Sequence, residues 1–428
     1  SASFDYSQAF ATGGSLEVSW SNSRQTTNGV YDYFSPSYST SVEVVVQQQL
    51  LAGFGLGPNL RYLRIAKTNQ KISDIAFRAQ VTATVTQICN LYWDLVSAYD
   101  NEQLEERSVA FAHDTLETSR KQLKLEAIPE MDVLKAEGEL ATREQALTVA
   151  RTNLQLQELY MKNAITRTFD DAVFEEMPVV PTDHIASQVE ATGAPVQEMI
   201  ASALKKRTEL QESVLDLQNR ELSRKSARNA MLPSLNLYGF YAGTGAGGTM
   251  NPKYYDLSVT SDLPGGYGGA LQSALNGTAP EYRVGLSLSI PLRNRIAKAD
   301  QYRTELEYRQ SQVYFEELKK TIRIEVRNAQ YALEQGASRV QAARKARDLA
   351  QKSFEIMQQE QKLGAGSNQQ TLAAEHDLAL ASSALVAAET AYEKARIEVW
   401  RATGSVLEQY AISVADAKTG AVDIDHAR

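Results

Sequence analysis

The chain has 428 residues, with 44 Lys plus Arg against 52 Asp plus Glu and a formal net charge of -8. That balance excludes a dedicated nucleic-acid binder, which needs cations for phosphates. No apolar run reaches the length of about 18 residues that a membrane helix needs, whereas a β-barrel stays open because its alternating strands dilute the hydropathy.

The first residues, SASFDYSQ, carry neither a charged nor an apolar leader region, so a signal peptide is expected to be absent, never present or already removed. Leu16, Val18 and Trp20 alternate with Ser15, Glu17 and Ser19. Val42, Val44 and Val46 alternate with Ser41, Glu43 and Gln47, with Val45 breaking the pattern once. Period two with one polar side predicts strands over 15–22 and 41–49, joined by a surface loop over 22–38.

Between Pro58 and Pro129 there is no Gly and no Pro. A helix over 60–125 follows, about 100 Å long, and a second over 131–165. Val81, Ile88 and Leu95 interleave with Val85, Tyr92 and Tyr99, and Val133, Leu140, Leu147, Leu154 and Met161 form another seven-residue row. Such rows are the a/d seams of paired helices. The lone cysteine, Cys89, lies in this apolar helical stretch and reads as an inert buried thiol.

Residues 166–195, with Pro178, Pro181 and Pro195, read as a linker, and 196–230 as one helix. That helix has no counterpart before the first strand pair, so a matching helix is expected to be missing from the chain. Strands over 233–241 and 282–291 come next, marked by Leu235 and Leu237 and by Val284, Leu286, Leu288 and Ile290. The glycine-rich stretch between them, 242–281, reads as a surface loop. A helix over 295–363, interrupted only by Gly336, a turn, a helix over 369–403 and a tail over 404–428 complete the chain.

The two halves repeat with a spacing of 238 residues. Lys124-Leu125-x-Ala127 returns as Lys362-Leu363-x-Ala365, and Leu134-x-Ala136-Glu137 as Leu372-x-Ala374-Glu375. The break at Glu126–Glu130 returns at Gly364–Asn368. The fold class is therefore mixed α and β: two repeats, 1–165 and 196–403, each with a strand pair and an antiparallel helical hairpin. Four strands leave unpaired edges, which cannot face lipid, so several chains must share one barrel. Three chains would supply twelve strands, continued by twelve helices as a tube.

The chain resembles the TolC-like outer membrane export channels of Gram-negative bacteria over roughly residues 10–405. The features that carry the likeness are the junctions Gln49-Leu50-Leu51-Ala52-Gly53-Phe54-Gly55 and Ser289-Ile290-Pro291-Leu292-Arg293-Asn294, and the turns Lys124-Leu125-Glu126-Ala127 and Lys362-Leu363-Gly364-Ala365-Gly366-Ser367. The resemblance implies a homotrimer in the cell outer membrane, with a twelve-stranded transmembrane barrel, a periplasmic helical tunnel and an equatorial belt from 166–200 and 404–428. It further implies a periplasmic adaptor protein and an inner-membrane pump as partners, outer-membrane lipid around the barrel, and no cofactor. Carried over by position, the tip that docks the adaptor is Leu125, Glu126, Ala127, Leu363, Gly364 and Ala365. The gate falls on Asp132, Lys135, Gln370 and Ala373. Gln370 and Ala373 stand where the best-known member has acidic rings, so an acidic ring at the second hairpin is not expected. Asp132, Lys135 and Gln370 are instead expected to link neighbouring hairpins.

Nothing in the sequence assembles an enzyme. His113, His184, His376 and His426 show no metal-ligand spacing. Glu375-His376-Asp377 reads as a solvated helix face. Gly53-x-Gly55-x-Gly57 lacks the context of a phosphate-binding turn and reads as a strand-to-helix junction. The alternative, a soluble periplasmic coiled-coil scaffold or adaptor, fits the heptads but leaves the alternating strands unexplained. A one-chain diffusion porin would need many more strands.

Overall fold

A computed structural model of the chain describes residues 1–166, 177–183, 195–256, 265–363 and 366–419. It divides into two compact units: Ser1–Ser73 with Ser213–Phe315, and Asp74–Glu212 with Glu316–Arg428.

The first unit is built on an antiparallel sheet in the order β1 (Ala2–Ala9), β2 (Gly14–Gln25), β3 (Phe34–Gln49), β4 (Ser234–Met250) and β5 (Ala279–Ser289). Five strands replace the four expected. The additional one, β1, carries only Phe4 and Tyr6 as large apolar residues, too few for a period to stand out, and it is held by its partner rather than by its own pattern. Its register sets Phe4 opposite Trp20 and Tyr6 opposite Val18.

Four strands also run into segments that read as loops: β2 to Gln25, β3 from Phe34, β5 from Ala279 and β4 to Met250. The glycines of β4 explain the last of these. A Cβ at Gly243 would lie 2.2 Å from the Ala274 carbonyl oxygen, and one at Gly245 1.9 Å from that of Ala270. Both carbonyls belong to a short helix, α6 (Gly266–Leu275), which rests on this part of the sheet. Glycine here marks a close backbone approach within a strand, not a turn.

The register collects apolar side chains on one face. Phe4 and Tyr6 align with Leu16, Val18 and Trp20, then Val42, Val44 and Val46, then Leu235, Leu237 and Tyr241, then Tyr282, Val284, Leu286 and Leu288. The other face carries Ser3, Asp5, Ser7, Glu17, Ser19, Ser41, Glu43, Glu281, Arg283 and Ser287, together with Val45, Tyr238 and Phe240. On it Ser21 and Ser41 share a hydrogen bond of 2.8 Å, and Arg283 pairs with Glu281. Beyond the patch under α6 the apolar face is bare: Val284 is 82% exposed and Leu286 65%.

At one end of the sheet the strands turn into helices. The β1–β2 turn, with Gly13 at φ 88°, accepts a hydrogen bond from the Gln49 amide at 3.1 Å. Asn59 clamps the next bend by donating to the carbonyls of Gly53 and Gly55 at 2.6 and 2.8 Å. A one-turn helix, α1 (Leu56–Asn59), then leads into α2 (Arg61–Lys124). Helix α5 (Thr208–Asn229) packs beside α2 and the first part of α7 (Arg295–Lys362). Arg220 and Arg224 pair with Glu307 and Glu305 at 3.3 and 3.5 Å, and Arg61 donates to Ser226 at 2.9 Å.

In the second unit, α3 (Glu130–Ile165) and α8 (Asn368–Thr403) fold back along the rest of α2 and α7, joined by α4 (Val196–Lys206), α9 (Val406–Gln409) and α10 (Val414–Thr419). The single helix expected over 196–230 is two. Arg207 interrupts it in an extended conformation, and its buried guanidinium donates to Glu209 at 2.9 Å and Glu325 at 2.8 Å. That cross-link to α7 outweighs the few helical bonds given up at the break.

Of the heptad rows, Leu95, Val133 and Leu147 are buried, and the core clusters lie between paired helices. Val340, Leu385, Ala388 and Tyr392 pack together between α7 and α8, and Leu116, Val133 and Ala136 between α2 and α3. Other apolar side chains of the same helices stand open, among them Leu349 at 71% and Tyr331 at 61% exposure. Among the described residues no helix is long and apolar enough to cross a membrane.

Candidate functional site

The hairpin ends of the second unit hold the tip and gate positions expected from the sequence. The helix α2 ends where Glu126 takes a left-handed φ of 56° and the Ala127 amide closes back on the Gln122 carbonyl at 2.9 Å. Leu125 and Leu363, at the ends of α2 and α7, are 79% and 84% exposed. Gly364 and Ala365 lie outside the described residues.

Helix α8 starts with a capping box. The Ser367 hydroxyl accepts from the Gln370 amide at 3.3 Å, and the Gln370 side chain accepts from the Ser367 amide at 3.4 Å. Asn368 donates to Ser119 and Gln122 of α2 at 3.1 and 2.9 Å, tying the second hairpin to the first.

Asp132 and Lys135 are brought together at 3.7 Å on one face of α3. Lys135 then reaches Gln369 of α8 at 3.3 Å. Gln370 is engaged by its own cap, and Ala373 is exposed. The neighbour that meets Lys135 is thus one residue before the one expected, because capping turns Gln370 back towards Ser367.

A second polar cluster lies further from the ends and was missed in the sequence. The Ser108 hydroxyl donates to Glu375 at 2.8 Å. Arg143 lies 2.8 Å from Glu139, 3.9 Å from Glu375, and 2.5 Å from the His376 Nδ1. The guanidinium can only donate, so that ring nitrogen accepts. Glu375 and Arg143 are both buried. Burial pushes the Glu375 carboxyl above its ordinary range, while the Ser108 hydroxyl and then the Arg143 charge pull it back. The solvated face expected at Glu375-His376-Asp377 is therefore half wrong: Glu375 points inward and clasps α2, α3 and α8 together. Glu137, at the matching place in the first hairpin, pairs with Arg120 across its own hairpin at 2.7 Å.

Beside the clasp is a cavity of about 490 Å³ lined by Asp100, Arg107, Arg347, Gln351, Glu375 and Leu385. Cys89 is half-buried next to Tyr410, and burial raises its thiol. Among the described residues no group of His, Cys, Asp and Glu could hold a metal ion. The arrangement offers mechanical links between helices rather than an acid, base or nucleophile beside a substrate.

Residues 199–405 match the outer membrane efflux protein family. No curated protein matches the chain. Among solved structures, the CmeC outer membrane channel of Campylobacter jejuni is 17% identical with a TM-score of 0.67, over 96% of this chain and 81% of that one. The outer membrane protein VceC of Vibrio cholerae is 14% identical with a TM-score of 0.68, over 92% of this chain and 87% of that one. The open state of the MtrE outer membrane channel of Neisseria gonorrhoeae is 17% identical with a TM-score of 0.60, over 93% of this chain and 82% of that one. At these identities the likeness establishes the fold.

Proposed function

We propose that this chain, which shares its efflux-family segment and its fold with the outer membrane channels and is not an enzyme, works as an export conduit. Three copies close one β-barrel through the outer membrane, and their helical hairpins form a tunnel in the periplasm. The observation that carries this reading is the sheet: its apolar face is largely bare, its two outer edges are unpaired among the described residues, and its other face is mainly polar, with Val45, Tyr238 and Phe240 as exceptions. Such a sheet suits lipid on one side and water on the other, once neighbouring copies pair its edges. The uncovered apolar positions of α7, such as Leu349 and Tyr331, suit packing against the helices of the next copy.

In this reading the tip of Leu125, Glu126, Ala127, Leu363, Gly364 and Ala365 docks a periplasmic adaptor, through which an inner-membrane pump delivers its substrate. The gate lies just above, at Asp132, Lys135, Gln370 and Ala373, with Gln369 as the partner of Lys135. The hairpins move apart like an iris as those links break. An open state named for the MtrE channel supports motion within this fold. Purification in detergent, a trimer mass, pores in planar bilayers and crosslinks to inner-membrane partners are the expected results. A monomer that stays in solution without detergent overturns the reading, and would favour the scaffold alternative.

A further inference from the structure

We infer that α6 is a membrane-interface helix: it lies against the outside of the barrel at the outer boundary of the apolar band, with Leu275 among lipid acyl chains. The inference rests on the barrel reading above. It adds a helical segment to a lipid contact otherwise made by strands.

The side of the sheet is fixed by the glycines. A Cβ on Gly243 or Gly245 would point at the carbonyls of Ala274 and Ala270, so α6 covers the face on which those Cβ atoms would lie. That face is the apolar one, because Gly243 is the register partner of Val42 and the next row along it joins Val44, Tyr241 and Tyr282. The helix packs on β4 and β3 and touches β5 only slightly. It therefore sits in the middle of the copy's own sheet, away from the edges that a neighbouring copy would pair, and its outward side meets whatever surrounds the barrel.

The height follows from strand geometry. Ten steps separate Leu235, beside the strand-to-helix junction, from Gly245. At about 3.3 Å each and a tilt of about 40° they rise roughly 25 Å, the height of a barrel's apolar band. The helix also has a direction. Ala270 lies over Gly245 and Ala274 over Gly243, and a Cβ on Gly277 would be 3.4 Å from the Tyr241 hydroxyl. Its C-terminal end thus points back towards the bare band, where Tyr282 is 78% and Val284 82% exposed.

The outward chemistry agrees. Ala270 and Ala274 are buried against the sheet, whereas Leu275, at the end nearest the band, is 65% exposed. From Gly265 to Pro280 there is no charged residue, in a chain that is 22% charged. A helix facing water carries charge on its outer side; one at the boundary of a bilayer combines apolar and uncharged polar groups, here Leu275 with Gln272 and Asn276. The helix is also held in place. Gly277, at a φ of 64°, turns the chain, the Thr278 amide donates to the Ser273 carbonyl at 3.2 Å, and β5 begins at Ala279.

Fluorescence quenching in vesicles tests the placement. Leu275→Cys, Tyr267→Cys and Val284→Cys are each made in the full chain with Cys89→Ser, labelled with bimane and reconstituted in phosphatidylcholine. Quenchers are lipids bearing a nitroxide near the headgroup or near the chain end, and aqueous iodide. The label at Leu275 should lose intensity to the headgroup-proximal nitroxide and keep it in iodide, and the label at Tyr267 should be more open to iodide. Quenching at Leu275 by iodide instead of lipid would place α6 in water and overturn the inference. Quenching by neither would mean that protein covers the site, and stronger lipid quenching at Tyr267 than at Leu275 would reverse the direction; both overturn it equally. Absence of lipid quenching at Val284 would reject the barrel reading itself, and the inference with it.

Discussion

Replacing Arg143 by Met removes the charge at the centre of the clasp while keeping most of the side-chain volume. The guanidinium is 7% exposed and serves Glu139, Glu375 and the His376 ring. Breaking a buried pair from one side costs about 3–5 kcal/mol, because the partner charge stays behind without compensation. Glu375 can escape part of that cost by taking up a proton, which its raised pKa already favours. A net loss of about 2 kcal/mol then corresponds to roughly a 30-fold increase in local opening. Hydrogen exchange of the detergent-solubilised protein at neutral pH should show this over 368–380 in α8 and around 136–147 in α3, with the sheet unchanged. The pH dependence has a definite sign. For a carboxyl whose folded pKa lies above its unfolded value of 4.5, the penalty is greatest above the folded value and fades as pH falls through it. The variant's deficit should therefore shrink on acidification. Glu375→Gln, which retains an acceptor for Ser108, should lose that dependence; the other titratable neighbours, Glu105, Glu139 and His376, remain in both proteins. Exchange equal to wild type at neutral pH, or a deficit that does not shrink in acid, would refute the assignment.

At the proposed gate, Lys135→Ala removes one exposed link to Asp132 and one to Gln369. Each is worth about 0.2–1 kcal/mol, so opening in planar bilayers should rise a few-fold per copy, and more in a trimer in which three sites add. Asp132→Ala should act in the same direction, and no change in opening with either variant would reject the gate. In the core, Leu385→Ala empties a site shared with Val340 and Tyr392 and should destabilise by about 2–5 kcal/mol, read as an earlier loss of helical circular dichroism on heating. On the sheet, Gly245→Val drives a side chain against the Ala270 carbonyl, so α6 should lose its hydrogen-exchange protection while β4 keeps its own. Protection of α6 equal to wild type would show that the helix does not depend on that approach.

Much of the architecture is present in local pattern. A heptad row such as Val133, Leu140 and Leu147 declares a helix because each turn repeats the same face. Strands such as that around Val284, Leu286 and Leu288 declare themselves by alternation, since one side meets apolar and the other polar surroundings. The paired turns at Leu125 and Leu363 were legible through the repeat. What stayed hidden depends on residues far apart in the chain. Eight residues of β1 carry too little periodicity to be noticed until Val18 and Trp20 lie alongside them. Gly243 and Gly245 looked like loop residues because only the approach of α6 gives a missing side chain its purpose. Arg207 ends a helix because Glu325, from another part of the chain, rewards the break. Glu375 looked solvated because a helical period says which way a residue faces along its own helix, and nothing about Ser108 and Arg143 waiting opposite. Periodicity is a local property that the chain carries wherever it goes; pairing, close approach and burial of charge arise only when distant segments meet.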